Sequence, residues 1–448
     1  MFTEVMELPK LHHKALMHIS VSVSMMKCGF LSGPPVNASR YTHFSFLLCG
    51  WIAANYLSMA KNTNLGAAKN AKNDEFYTQY ADIQKEINAY IEYNPDVFRG
   101  KTVLLPCDDP EWSNFTKFFA QNFEFFGLKK LISTSYAIES KKYKTDWQPT
   151  LFETENPLYN VEKSRIKGKI FTLTHDTNAN GRIDIDDLQW NYLEGDGDFR
   201  SAEVTALRDE ADIIITNPPF SLFREFLAWI MEGGKQFSII GNMNAITYKE
   251  VFPLIKDNQI WLGSGFNAGN AYFRILGDAR NDFADGVYDT STGLVKFRNC
   301  CWFTNIDHGM RHKPLQLMTK SDNLKFNKKL KGLTDYQHYD NYDAIEVPYT
   351  EVIPSDYEGV MGVPISFLDK YCPEQFEILG ITKTWFGGAC KIYPEQKQID
   401  KNGKESKVSK LNDGPAILIA DPSNYSTYYQ VENNYYIQTY ARILIRKK

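Results

Sequence analysis

Asn217-Pro218-Pro219-Phe220 stands directly after the apolar run Ile213-Ile-Ile-Thr216, and its residue types suit one chemical task. An aromatic amine is a weak nucleophile because its lone pair is drawn into the ring. Two acceptors on its N–H bonds favour a pyramidal nitrogen and stabilise the charge that develops as it attacks. The Asn217 side-chain oxygen is one such acceptor and the Pro218 carbonyl is the other. The prolines stiffen the loop and bring no N–H groups to compete. Phe220 offers a flat face for a purine. Attack on an activated methyl group then rests on positioning and electrostatics, with no prior deprotonation. The plainer alternative is a strand-ending Asn-Pro turn followed by a core phenylalanine.

The surrounding pattern supplies what would hold such a loop. Lys101–Pro106 reads as a buried strand, Ser113–Phe126 as a helix closed by Gly127, and Leu128–Thr134 as a second strand. Ala211–Thr216 is a strand ending at Asn217, Ser221–Met231 a helix closed by Gly233-Gly234, Gln236–Gly241 a strand and Tyr248–Lys256 a helix. This alternation predicts a doubly wound α/β domain with a mostly parallel sheet, whose ligands bind at the carboxyl ends of the strands. Beyond about residue 310 the rhythm changes to Tyr-, Asp- and Pro-rich segments ending in a strand, Tyr440–Arg446, which predicts an α+β region. Residues 396–412 read as an exposed polar loop. The expected organisation is an N-terminal extension over 1–58, a catalytic domain over 59–310 and a recognition region over 311–448.

The chain has 448 residues and a net charge of −4, which argues against a protein that coats nucleic acid but leaves room for a local basic cleft. Its seven cysteines form no C-x-x-C pair, which favours free thiols in a reducing cytoplasm over a disulfide frame or zinc site. The apolar stretches Ala15–Leu31 and Phe44–Leu57 are interrupted by polar residues, so neither makes a membrane span, and no signal-peptide order is evident. Met59-Ala60-Lys61 opens a polar stretch that resembles a natural N-terminus, so residues 1–58 are expected to be an upstream extension.

The tetrapeptide resembles the (D/N/S)-P-P-(Y/F) signature of amino-methyltransferases, and longer strings resemble the EcoRI-type adenine-specific DNA methyltransferases. Among them are Asp74-Glu-Phe-Tyr-Thr-Gln-Tyr80, Cys107-Asp-Asp-Pro110, Gly195-Asp-Gly-Asp-Phe-Arg-Ser201, Asn217-Pro-Pro-Phe-Ser-Leu-Phe-Arg-Glu225 and Ile240-Gly-Asn-Met-Asn-Ala-Ile-Thr-Tyr-Lys-Glu250. The likeness runs from about Met59 to the C-terminus. It implies a Rossmann-like methyltransferase fold, S-adenosylmethionine as donor, double-stranded DNA as substrate, and a restriction endonuclease that shares the site without direct binding. Phe76, Tyr77 and Thr78 match the segment over the methionine part of the cofactor. Asp108 or Asp109 would accept from the cofactor amino group, or cap a helix starting near Pro110. Asp198 and Phe199 match the pair that meets the cofactor adenine. A Gly-rich loop is missing after the first strand, and Ser133–Tyr136 carries no acid for the ribose hydroxyls. Trp302 or Phe303 would give a second stacking face for an extruded base. Two rivals use the same loop: a methyltransferase acting on RNA or on a protein glutamine, and a non-catalytic DNA-binding relative.

Two further features invite a site. Asp176, Asn178, Asn180, Asp184 and Asp187, with Gly181, follow the spacing of a calcium loop, although position 12 is Asp rather than Glu. The flanks read as strands, so an Asx-rich hairpin turn competes with a structural Ca²⁺. The Lys-rich stretch 311–331, with Lys325, Lys328 and Lys329, would line a DNA cleft or simply form a solvated face.

Overall fold

The computed structural model describes residues 77–109, 113–137, 154–266, 270–274 and 286–448. The expectations for residues 1–58, for Phe76 and for a helix start at Pro110 lie outside these residues.

The first twelve strands are β1 (Tyr77–Thr78), β2 (Thr102–Leu105), β3 (Lys130–Ser135), β4 (Lys169–Leu173), β5 (Gln189–Tyr192), β6 (Ile213–Thr216), β7 (Gln236–Asn242), β8 (Trp261–Leu262), β9 (Asn270–Arg274), β10 (Tyr288–Asp289), β11 (Leu294–Arg298) and β12 (Cys300–Thr304). Eight of them form the main sheet in the order β5-β4-β3-β2-β6-β7-β12-β8. Its centre, β3-β2-β6-β7, is parallel. Both flanks are antiparallel: β4 on β3, β5 on β4, β12 on β7 and β8 on β12. The expected mostly parallel sheet is thus parallel only in its four central strands, which are buried along nearly their whole length. The β4–β5 flank is a hairpin, and its alternating burial is the pattern of an antiparallel pair with one wet face.

Alternate residues feed two cores on opposite faces of this sheet. Leu104, Ile132, Ile214, Ile239 and Phe303 join one, and Val103, Leu105, Leu131, Ile213, Ile215, Ile240 and Trp302 join the other. On the second face lie α1 (Tyr80–Tyr93), α2 (Asn114–Gln121) and α3 (Phe123–Phe126), through residues such as Ile87, Phe115 and Phe123. The predicted single helix over 113–126 is broken at Asn122, whose side-chain amide donates to the Phe118 carbonyl (2.8 Å). Gly127 closes it in the left-handed region, φ +63°, as its sequence position predicts. After α4 (Val161–Ile166), the first face takes α5 (Ala202–Glu210), α6 (Phe223–Glu232) and α7 (Phe252–Lys256).

The first-face core continues without a break into the C-terminal residues Ile345, Val363, Ile443 and Ile445. After α8 (Lys320–Phe326) come β13 (Ile345–Glu346), β14 (Met361–Pro364), β15 (Phe376–Ile381), β16 (Gln396–Asp400), β17 (Glu405–Val408), β18 (Ala416–Ile419), β19 (Thr427–Val431), β20 (Asn434–Gln438) and β21 (Arg442–Lys447). They build a four-stranded and a five-stranded sheet. The segment read as a loop over 396–412 is instead the β16–β17 hairpin and a short 3₁₀ turn. Its outer strand is polar and exposed, so pairing with β16, not an apolar stripe, specifies it.

Candidate active site

The residues singled out in the sequence gather at the carboxyl ends of the central strands. β2 runs into Pro106 and Cys107, a non-glycine residue at φ +70°. The chain then turns so that the Asp108 N–H donates to the Thr134 carbonyl near the end of β3 (2.7 Å). The buried Asp108 carboxyl receives the Ser113 hydroxyl (2.7 Å) and lies 2.5 Å from the Thr216 hydroxyl. Burial pushes its pKa up to about 7, against the opposing bonds from Thr216 and Ser113. Thr216 Oγ1 also lies 2.6 Å from the Pro106 carbonyl, so its one hydroxyl proton serves either that carbonyl or the Asp108 carboxylate. Asp108 is thus a tie between β2, α2 and β6 immediately before Asn217. Its two oxygens are occupied inside the protein, and the neighbouring Asp109 is also buried. The cap of α2 is Ser113, whose hydroxyl accepts from the Phe115 N–H.

Asn217 is half-buried with its side-chain oxygen turned away from bulk solvent, Pro218 is buried, and Phe220 is half-buried. A 3₁₀ turn over Phe220–Leu222 leads into α6 with no intervening loop. Gly241 on β7 lets α6 come close, since a Cβ there would stand 2.4 Å from the Phe223 ring. The Phe220 ring meets Phe297 and Phe273 edge-on, at centroid distances of 5.9 and 6.3 Å. Phe273 is the cross-strand partner of Thr78 on β1. The Thr78 carbonyl in turn accepts from the Asn114 side-chain amide (2.7 Å). Tyr77 and Thr78 are in this way joined to the loop at Asn217 through one small sheet, β1-β9-β11-β10.

Asp198 accepts from Arg200 at both oxygens, Nε at 2.9 Å and Nη2 at 2.6 Å. The Tyr136 phenol lies against Cys107 and Asp198; burial first, then these two neighbours, raises it well above the usual tyrosine range. Gly197 is required beside it, because it has φ +85° and a Cβ there would meet the Ser135 carbonyl at 2.4 Å. The Thr78, Thr134 and Ser135 hydroxyls are buried and make no hydrogen bond among the described residues. Buried polar atoms are ordinarily paired, so this group fits a polar ligand at the strand ends.

Three sequence expectations are corrected. Trp302 and Phe303 are both fully buried on opposite faces of the sheet, because both faces are covered. Trp302 stacks on Phe266 at 5.7 Å and Phe303 packs on Phe223 at 5.0 Å, so neither offers an open face to a base. The Phe199 ring is also core, edge-on to Phe226 at 4.9 Å, and the whole residue is buried, so the ring offers no face to a ligand. In the 176–187 loop the carboxylates are taken by the loop's own N–H groups. Asp176 accepts from Gly181 (2.7 Å), and Asp187 from Thr177 (2.7 Å) and Asp184 (3.1 Å). Asn178, Asn180 and Asp184 accept in the same manner from Asn180, Arg182 and Asp186. Among the described residues no group of three or more His, Cys, Asp or Glu side chains is disposed to hold a metal ion.

Lys325, Lys328 and Lys329 are exposed on and just after α8. Lys329 is engaged by Glu351 at 3.2 Å and lies over the Tyr349 ring. A surface cavity of about 480 Å³ bordered by Lys85, Tyr93 and Lys313 contains none of the residues above. Sequence reasoning missed Phe273, Phe297, Tyr136 and the Arg200–Glu225 ion pair. Tyr136 directly follows a strand in a parallel sheet, which was its one available signal. The others depend on pairings distant in the chain.

A parallel sheet centre, polar groups collected at its carboxyl edge and an acceptor-rich Asn-Pro-Pro-Phe loop among them define an amine-directed methyltransferase. The chain belongs, over residues 64–448, to the family described as adenine-specific methyltransferase EcoRI. It is 42% identical to the type II methyltransferase M.EcoRI of Escherichia coli, over 77% of this chain and 94% of that protein. It is 34% identical to M.MpnI of Mycoplasma pneumoniae (70% of this chain, 83% of that protein) and 33% identical to M.MgeORF184P of Mycoplasma genitalium (70% and 84%). Both are also type II methyltransferases. No solved structure matches the chain. Among the described residues no helix is long and apolar enough to cross a membrane.

Proposed function

We propose that the protein transfers a methyl group from S-adenosylmethionine to the N6 amine of an adenine extruded from duplex DNA, as the modifying half of a restriction-modification system. The observation that carries this reading is the Asn217–Phe220 loop, tied by Thr216 and Asp108 to the strand ends where buried hydroxyls await a ligand. When bound, S-adenosylmethionine supplies an electrophilic methyl group on a sulfonium. Thr78, Asp109, Tyr136 and Asp198 would hold it, with Tyr77 beside them. The target adenine leaves the stack because its N6 is inaccessible inside the helix. Asn217 Oδ1 and the Pro218 carbonyl accept its two N–H bonds, Pro219 stiffens the loop, and Phe220 stacks on the ring. Fixing that amine in line is the protein's main contribution.

In this reading the sheet is a Rossmann-like methyltransferase core, residues 59–310 carry the transfer and residues 311–448 read the target. Lys325, Lys328 and Lys329 contact phosphates. The endonuclease partner acts on the same site without binding this chain. The cytoplasm, where chromosomal DNA and reduced thiols coexist, is its compartment. Incubating the protein with methyl-labelled donor and DNA, RNA or protein separates the candidates. Label is expected in DNA alone, as N6-methyladenine; label in RNA or in glutamine would overturn the assignment.

A further inference from the structure

Arg200 bridges two parts of the site that the sequence gives no reason to connect. Its guanidinium binds both oxygens of Asp198, and the Arg200 backbone N–H adds a third bond to the same carboxylate (2.9 Å). The remaining nitrogen, Nη1, donates to Glu225 at 3.1 Å. Glu225 is in the first turn of α6, and α6 follows Phe220 through a single 3₁₀ turn. Beneath this ion bridge the Phe199 ring packs against Phe226 and Trp229 of α6, at 4.9 and 5.6 Å. The 198–200 segment and the N-terminal end of α6 are therefore joined by an apolar contact below and a charged one above. The planar fork of arginine holds two carboxylates in fixed directions, which a lysine cannot reproduce.

We propose that Arg200 is a positioning residue that couples a ligand at Asp198 to the acceptor loop Asn217–Phe220, so that cofactor binding sets the loop that receives the base. This rests on the assignment of Asp198 to the cofactor's adenine amine. An amine donor arriving at Asp198 competes with Arg200 for the carboxylate lone pairs. The guanidinium shifts its weight toward Glu225 and draws in the first turn of α6, and with it Phe220. Coupling through such a contact is reciprocal, so a base in the loop tightens the cofactor in return.

Hydrogen exchange of the peptide spanning 216–225 tests this, with S-adenosylhomocysteine as the probe and calorimetry to confirm its binding. In the unaltered protein the probe is expected to slow exchange of this peptide by about five-fold or more. Arg200→Gln and Glu225→Gln are each expected to bind the probe yet lose that slowing, and the double variant to lose no more than either alone. Arg200→Lys is not expected to restore it. A merely structural role would change exchange with and without the probe alike. Probe-dependent slowing that persists in both variants would overturn the coupling while leaving the cofactor assignment intact. Failure of the unaltered protein to bind S-adenosylhomocysteine would overturn both.

Discussion

Two acid-rich stretches of this chain look alike in sequence and differ in structure. The 176–187 loop turns its carboxylates inward onto its own N–H groups, at Asp176, Asp184 and Asp187 alike. The strand-end cluster draws its acids and hydroxyls from β2, β3, β6 and the 195–201 segment, and leaves the Thr134 and Ser135 hydroxyls with no hydrogen-bond partner among the described residues. Local groups can satisfy one another at no cost to the fold. Groups delivered from distant segments to a strand edge cannot all do so, and a ligand completes them. Spacing alone identifies neither case, because both stretches satisfy a plausible pattern.

The most severe way to break the comparison is to remove the acceptor at the open cluster. Asn217→Ala is expected to lower turnover by roughly a hundred- to a thousand-fold while leaving S-adenosylhomocysteine binding unchanged. Steady-state methylation together with calorimetry checks both halves. Phe220→Ala should weaken capture of the extruded base by about ten-fold or more, the scale of one lost base–aromatic stack. Fluorescence of a 2-aminopurine placed at the target position reads that loss, and Phe220→Trp should recover most of it.

Asp108 gives a pH test of the tie behind the loop. Its folded pKa of about 7 lies above the ordinary carboxylate value, so the folded state favours the protonated form. Its stabilising contribution is complete below the unfolded pKa and is lost as pH rises through 7. Asp108→Asn should therefore flatten the stability profile across that window, by on the order of 2–4 kcal/mol between its ends. Urea denaturation at several pH values measures it, and an unchanged slope in the variant would remove Asp108 from this role.

Replacing Lys325, Lys328 and Lys329 by Ala should reduce the salt dependence of DNA binding by a slope of about two rather than three, because Lys329 already pairs with Glu351. The smallest expected effect belongs to the closed loop. Millimolar Ca²⁺ should produce no binding heat and no change in Tm, since its carboxylates are already engaged. A clear Ca²⁺ heat that disappears in Asp176→Ala would reverse the contrast between the two stretches.

Much of the site was legible because it is local. The apolar run before Asn217, the prolines and the strand–helix rhythm all lie within 30 residues and fix the loop's place at a strand end. What escaped depends on partners far along the chain. Alternation in Cys301-Trp302-Phe303 shows that the two rings face opposite ways, but not that both faces of the sheet are covered. The β16–β17 hairpin is polar on its outer strand, so no apolar period announces it. Phe273 and Phe297 approach Phe220 only because β9 and β11 pair across a long connection.

The account stands on Asn217 presenting an adenine amine to a methyl donor. Sequencing genomic DNA from cells that express the unaltered chain or Asn217→Ala, with a direct readout of N6-methyladenine, tests that most directly. One recurrent sequence modified at adenine with the unaltered chain, and none with the variant at equal protein level, is the predicted result. Undiminished modification with Asn217→Ala, or modification of a base other than adenine, would contradict it.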